Sequence, residues 1–225
     1  MGRIRKILVS QPEPENNKSP YFDLASKHNL KIDFRPFIHV EGVTAREFRQ
    51  DKVDMAVHTA VIFTSKTAID HYFRMAEETR TNIPDTMKYF CISEATAYYL
   101  QKYIVYRKRK IFYGNGKINH LVEIMNKHKD EKYLLPLSAA HKEEIPVLLN
   151  EASFDYTKAV LYRTECSDLS DLADVNYDIL VFYSPSGIKS LFQNFPDFKQ
   201  NDTKIASFGS KTAKAAEEAG LRLDI

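Results

Sequence analysis

Two stretches far apart in this chain spell the same local structure. Val61–Phe73, VIFTSKTAIDHYF, is an apolar run, a pair of hydroxyl residues and then apolar residues at helical spacing, and Val181–Phe192, VFYSPSGIKSLF, repeats the order. Phe63 matches Phe182, a shift of 119 residues (182 − 63), and the same shift takes Ser65 to Ser184, Ile69 to Ile188 and Phe73 to Phe192. A second pair follows in the same sequence: Phe90–Leu100, FCISEATAYYL, resembles Ser207–Ala216, SFGSKTAKAA, with Thr96 on Thr212 at a shift of 116 (212 − 96). A loop deletion accounts for the difference of three residues. An ordered pair of units present twice predicts two similar α/β domains, not a solenoid of many short repeats.

The rest of the chain has the same alternation. KILVS at Lys6–Ser10 is a short β-type run, followed across the Pro-punctuated QPEPENNKSP by a helix at Tyr21–His28. Lys31–Val40, KIDFRPFIHV, has a period of two, with Pro36 marking an edge or a bend, and is placed to run from one domain into the next. Thr44 with Glu47 is a capping-box pattern opening a helix through Lys52. Strands at Ala60–Phe63, Lys88–Ser93, Lys132–Ser138, Tyr156–Glu165, Ile179–Tyr183 and Lys204–Phe208 alternate with helices at Lys66–Met75, Ala95–Tyr103, Ile118–Asn126, Lys142–Leu149, Gly187–Phe192 and Lys211–Ala219. YIVYRKRKIFYG, from Tyr103, is β-rich, its basic run Arg107–Lys110 reading as a solvated edge strand protected by charge. Such alternation predicts parallel sheets covered by helices on both faces.

Bulk properties exclude several function classes. Lys and Arg number 32 against 30 Asp and Glu, so no global field draws the chain onto nucleic acid or a membrane, and any anion site is local. No apolar run approaches the roughly 20 residues of a membrane helix, and the start lacks a secretory core, so a cytoplasmic location is expected. Cys91 and Cys166 have no CxxC or Cys/His spacing and read as passive thiols. The seven histidines, among them His39, His58, His71 and His141, show no ligand spacing, so no metal is expected. YGNGK at Tyr113–Lys117 lacks the P-loop and dinucleotide spacings and reads as a turn. Neither Ser65 nor Ser184 has the GxSxG context of a nucleophile.

The repeated turns are the functional signal. Each hydroxyl turn joins the carboxyl end of a strand to the start of a helix, where free backbone N–H groups and the positive end of the helix dipole attract carboxylates or phosphates. Ligands of open parallel sheets sit at those strand ends. Any one of Ser65, Thr96, Ser184 or Thr212 alone is more simply a helix cap, but four in a repeated pattern suit a ligand carrying many anionic groups.

A strand ending FTS before a helix, a later turn with TA opening a helix, an alternating strand ending YRT, then SPSG and GSKTA, in this order over nearly the whole chain, resembles the uroporphyrinogen-III synthase family. The resemblance implies two α/β domains, each a parallel sheet flanked by helices, joined by a two-strand β linker. Residues 1–36 with 167–225 would form one domain, residues 42–158 the other, and 37–41 and 159–166 the linkers. It implies a cofactor-free hydro-lyase in haem biosynthesis, acting as a monomer: hydroxymethylbilane, a linear tetrapyrrole, loses its terminal hydroxyl as water and closes with ring D inverted, through a spiro intermediate. Without the enzyme the substrate closes to the uninverted isomer, so catalysis is control of geometry by positioning and preorganised hydrogen bonds. By position, Tyr162 of VLYRT matches the family's linker tyrosine, which assists departure of the hydroxyl; a phenol is protonated at neutral pH and able to donate. Ser65, Thr96, Ser184 and Thr212, with Lys66 and Ser186 beside them, are carried over as substrate-binding residues.

The chain also departs from the family pattern. Ser93 stands where a glycine usually precedes the first TA turn and is expected to restrict close backbone approach. Leu137–Lys142, LSAAHK, replaces a Gly/Arg-containing turn, leaving Lys142 as the substitute cation. The chain stops at Ile225, where the family generally adds a helix. The rival readings are a two-domain binding or sensor protein for an anionic small molecule, which would lack turnover, and a nucleotide-sugar transferase, for which 225 residues leave little room.

Overall fold

The computed structural model describes residues 4–15, 19–141 and 143–225. The first part of the chain runs β1 (Lys6–Val9), α1 (Pro20–His28), β2 (Lys31–Phe34) and β3 (Ile38–Gly42). The middle continues with α2 (Ala45–Gln50), β4 (Ala60–Phe63), α3 (Lys66–Glu78), β5 (Lys88–Cys91), α4 (Glu94–Tyr99), β6 (Ile111–Tyr113), α5 (Ile118–Met125), β7 (Tyr133–Ser138), α6 (Glu144–Glu151) and β8 (Tyr156–Cys166). The last part holds β9 (Ile179–Phe182), α7 (Pro185–Asn194), β10 (Lys204–Ser207) and α8 (Ser210–Glu218). The chain divides into two compact units: unit 1 is Met1–His39 with Glu165–Ile225, and unit 2 is Val40–Thr164.

Unit 1 is built on a four-stranded sheet in the order β10-β9-β1-β2, all its pairings parallel. Unit 2 is built on a six-stranded sheet, β3-β8-β7-β4-β5-β6, whose β8-β7-β4-β5-β6 pairings are parallel as the alternation of elements predicts. Successive side chains of a strand point to opposite faces, so a sheet covered on both sides needs apolar residues at every position. β4 meets that demand: Val61 and Phe63 join one cluster with Ile69, Tyr72 and Leu161, while Ala60 and Ile62 join another with Leu121, Leu135 and Phe154. β9 does the same in unit 1, Leu180 and Phe182 packing with Ile188 and Leu191, and Ile179 and Val181 with Ile7 and Val9. The repeat seen in the sequence is thus a repeat of fully buried strands.

Helix starts follow local chemistry. The Thr44–Glu47 capping box forms in both directions, Glu47 N donating to Thr44 Oγ1 at 3.2 Å and Thr44 N to Glu47 Oε2 at 2.9 Å. Ser19 caps α1, with Pro20 in its first turn.

Three expectations are corrected. The extended run Lys31–Val40 is two strands, β2 in the four-stranded sheet and β3 at the edge of the six-stranded one. Pro36 has no N–H to give a ladder, and Phe37 beside it is buried in the core of unit 1. The β-rich stretch from Tyr103 forms a strand only at Ile111–Tyr113, where it pairs with β5; Arg107–Lys110 is a turn closed by Lys110 N donating to Arg107 O at 2.9 Å. The basic run therefore precedes the edge strand and is not part of it. Finally, Thr96 and Thr212 lie inside the first turns of α4 and α8, buried, and the cap positions belong to Ser93 and Gly209. The helix expected from Lys142 is α6, beginning at Glu144, and Lys142 itself lies outside the described residues. Both cysteines are free thiols; burial pushes Cys91 up to about 12.

Candidate active site

The candidate residues of unit 2 lie along the carboxyl edge of the six-stranded sheet, where Ser65 and Tyr162 meet. β4 ends in fully buried Phe63, the chain extends through Thr64, and Ser65 (φ −158°, ψ 162°) caps α3 by accepting Ala68 N on its Oγ at 3.0 Å. One strand over, Ser93 (φ −146°, ψ 163°) caps α4: its Oγ accepts Thr96 N at 3.3 Å and lies 3.0 Å from Thr96 Oγ1. Ser93 thus takes an ordinary extended backbone and closes the turn with its side chain. Lys66 is exposed, its ammonium 5.3 Å from the Tyr99 ring centre.

Tyr162 reaches this edge through an irregularity. β8 pairs residue for residue with β7 from Tyr156 to Val160, but Ser138 then faces Tyr162, leaving Leu161 as an extra residue. Such a bulge re-aims the side chain that follows it. The half-buried phenol ends with its oxygen 3.4 Å from Ser65 Oγ, and Ala139 N donates to the Tyr162 carbonyl at 2.8 Å. The Leu161 carbonyl accepts Val43 N at 2.9 Å and Arg74 Nη2 at 3.1 Å.

Beneath the phenol lies a pair of side chains from α3 that the sequence reading passed over. The His71 imidazole stacks on the Tyr162 ring, centroids 5.0 Å apart and planes 15° from parallel. Arg74 donates from Nε to His71 Nδ1 at 3.1 Å, from Nη2 to Val43 O at 2.8 Å, and from Nη1 to Glu78 at 2.6 Å. Gly42 makes room for it: a Cβ there would stand 2.7 Å from the guanidinium carbon. Burial, and then the Arg74 charge, hold His71 below the usual imidazole range, against smaller opposing effects of Asp70 and Glu78. The signal was a His at position 71 and an Arg three residues on, one turn apart on the helix that Ser65 opens. Asp70, on the same helix, accepts from Tyr99 at 2.9 Å, from Lys102 at 2.8 Å and from Tyr103. Burial works to raise its carboxyl, but these donors bring it below the usual range.

In unit 1, Ser184 (φ −151°, ψ 153°) caps α7, its Oγ accepting Gly187 N at 3.2 Å, and Ser186 is exposed in the first turn. α8 starts differently. Gly209 has φ 88°, no side chain caps the helix, and buried Thr212 donates its backbone N–H to Gly209 O at 3.1 Å. Tyr183 and Phe208, each one residue before these turns, stack with centroids 4.5 Å apart, and the Tyr183 hydroxyl is hydrogen-bonded to that of Tyr21. Burial, then this bond, raises the Tyr21 phenol. Phe208 is 54% exposed, so the stack ends in an open aromatic face beside two helix starts.

The loop after β7 carries His141, whose Nδ1 is 3.0 Å from Ser138 O and whose Nε2 is 3.0 Å from Glu143; Lys158 pairs with the same carboxylate at 3.0 Å. Among the described residues no group of three or more His, Cys, Asp or Glu is arranged to hold a metal ion. Cavities of about 710 Å³ in unit 1 and about 410 Å³ in unit 2 open at the amino ends of the strands, beside Tyr177, Asp178 and Thr203 in one and Met87 and Lys110 in the other. None of the candidate residues lines either.

Comparison with known proteins gives one consistent result. The family model HEM4, uroporphyrinogen-III synthase HemD, matches residues 20–225. A uroporphyrinogen-III synthase of Chlorobaculum parvum is 22% identical over 99% of this chain and 92% of its own length. Among solved structures, uroporphyrinogen-III synthetase from Helicobacter pylori superposes with a TM-score of 0.59 at 19% identity, over 98% of this chain and 91% of the other. A mutant uroporphyrinogen-III synthase from Thermus thermophilus gives 0.54 at 15% identity, over 97% and 90%.

Proposed function

This chain belongs to the uroporphyrinogen-III synthase family, and we propose that it cyclises hydroxymethylbilane to uroporphyrinogen III with Tyr162 as the group that assists loss of the hydroxyl. The phenol proton passes to the terminal hydroxyl, the C–O bond breaks with its electron pair leaving on water, and the macrocycle closes with ring D inverted. The hydrogen displaced from the pyrrole carbon at closure restores the phenol, so that overall one hydroxyl and one hydrogen leave as water. The protein supplies orientation and hydrogen bonds, and no cofactor takes part.

The observation that carries this reading is the meeting of Tyr162 and Ser65, 3.4 Å apart at the carboxyl edge of the six-stranded sheet. A residue from a bulged strand and one from a helix cap, 97 positions apart, are brought to hydrogen-bond distance where ligands of parallel sheets bind. Ser65 and Lys66 bind substrate carboxylates at the start of α3, Ser184 and Ser186 at the start of α7. Thr96 and Thr212, buried in the first turns of α4 and α8, act mainly by setting the direction of the backbone N–H groups there. The family resemblance supports an enzyme acting in the cytoplasm as a monomer. Separately, no helix among the described residues is long and apolar enough to cross a membrane.

The test is to give the purified protein freshly made hydroxymethylbilane and separate the oxidised uroporphyrin isomers, beside a control without protein. Type III above the control and proportional to protein is the expected result. Type I alone, at the spontaneous rate, would leave a binding protein for an anionic small molecule.

A further inference from the structure

We propose that His71, its tautomer fixed by Arg74, is a positioning residue that holds the Tyr162 phenol toward Ser65; this rests on the reading of Tyr162 given above. A tyrosine side chain has two torsions, and the ring of one emerging from a bulge at a sheet edge can swing unless something packs on its face. Ser65 alone does not fix it, because a single 3.4 Å contact between hydroxyls constrains one atom weakly. The near-parallel imidazole of His71 constrains the whole ring.

His71 is itself held. A guanidinium has donors and no acceptor, so the Arg74 Nε–H directed at His71 Nδ1 requires a lone pair there and places the imidazole proton on Nε2. Protonation of His71 would set two donors against each other in a half-buried position, so the ring stays neutral while it stacks. Arg74 is fixed in turn by two carbonyls, Val43 beyond β3 and Leu161 at the bulge, with Glu78 taking the remaining side of the fork. Leu161, whose carbonyl holds Arg74, is also the extra residue that precedes Tyr162, so bulge, arginine, imidazole and phenol form one continuous support. Gly42 belongs to it, since any side chain there would meet the guanidinium. The charged groups facing His71 are Arg74, Asp70 and Glu78 of α3, and Tyr162 faces it from β8.

The experiment compares wild type, His71→Ala, His71→Phe and Arg74→Met in the formation of type III isomer, with thermal unfolding of each. His71→Ala is expected to lower kcat about tenfold or more with a smaller change in KM, the result of a misplaced group. His71→Phe keeps a flat ring under the phenol and is expected to recover most of that loss, which general damage to the fold would not allow. In ¹⁵N-histidine spectra, one resonance absent from His71→Phe is expected to show a bare Nδ1 and a protonated Nε2 in wild type, and to shift toward tautomer averaging in Arg74→Met. A kcat for His71→Ala within twofold of wild type, or equal losses in the Ala and Phe variants, would overturn the positioning role. Failure of the wild type to make type III overturns the reading on which the proposal stands and removes its basis; type III from wild type with indifferent His71 variants overturns the proposal alone.

Discussion

The two units carry the same pair of turns and finish them differently. In unit 2, both helices after the matched strands are capped by serine, and the first serine touches Tyr162. In unit 1, Ser184 caps α7 as Ser65 caps α3, but the second turn is opened by Gly209 at φ 88° without a side-chain cap. Ser93 and Gly209 occupy the same place in the repeat, one extended and hydrogen-bonded, the other in a region where L side chains are strained. The lesson is that a shared strand–turn–helix scaffold sets where backbone donors point, while one residue per turn decides whether they are partly satisfied by the protein or left for a ligand. Around the capped turns of unit 2 the neighbouring groups are a phenol and an imidazole; around the open turn of unit 1 they are the aromatic faces of Tyr183 and Phe208.

The comparison can be broken most strongly in the cores. Phe63 and Phe182 are equivalent in the repeat and both fully buried. Replacing either by alanine is expected to cost about 3–5 kcal/mol in urea unfolding. A loss under about 1 kcal/mol for either one would deny the equivalence.

Exchange of the second-turn residues is expected to be asymmetric. Gly209→Ser forces a side chain onto φ 88° and should cost about 1–2 kcal/mol, entirely through the backbone, because no described residue lies within 4 Å of the added Cβ. Ser93→Gly removes a cap yet should cost only a few tenths of a kcal/mol. Thermal unfolding of the two variants checks this, and equal shifts would mean the turns are not distinct.

A smaller effect is common to both units in acid. Bonds from the Thr44 backbone N–H and hydroxyl, then from Arg163, lower the Glu47 carboxyl from 4.5 to about 2 in unit 2. A carboxylate lowered on folding stabilises above its unfolded value and loses that contribution as pH falls from about 4.5 through about 2. The Tm of Glu47→Gln should therefore lie below wild type at pH 6 and converge with it near pH 2. In unit 1 the corresponding role falls to Asp178, lowered by the N–H groups of Lys6 and Arg5, and Asp178→Asn should likewise be less stable than wild type near neutral pH, the gap closing in acid.

Much of the fold was legible because buried parallel strands leave a local mark. AVIF at Ala60 and ILVF at Ile179 are apolar at every position, and each is followed by a serine where a helix needs a cap. Local chemistry misled where pairing decided the outcome. Tyr103–Lys110 has the composition of a strand, yet only the three residues from Ile111 find a partner on β5. The candidate site was legible residue by residue and not as an arrangement. Nothing near Tyr162 announces that Leu161 is skipped in the register with β7, and the use of Gly42, Val43 and Arg74 to support that bulge involves three separate parts of the chain. His71 is in the stretch that first showed the repeat, but its meaning depends on a ring 91 residues away (162 − 71).

The most direct measurement is the initial rate of type III formation by Tyr162→Phe beside wild type and a control without protein. Phenylalanine keeps the stacked ring and removes only the hydroxyl. The rate is expected to fall on the order of 100-fold, with Tm unchanged and type I rising as spontaneous closure takes over. A variant that forms type III at the wild-type rate would contradict the role of the phenol and remove Tyr162 from the chemistry.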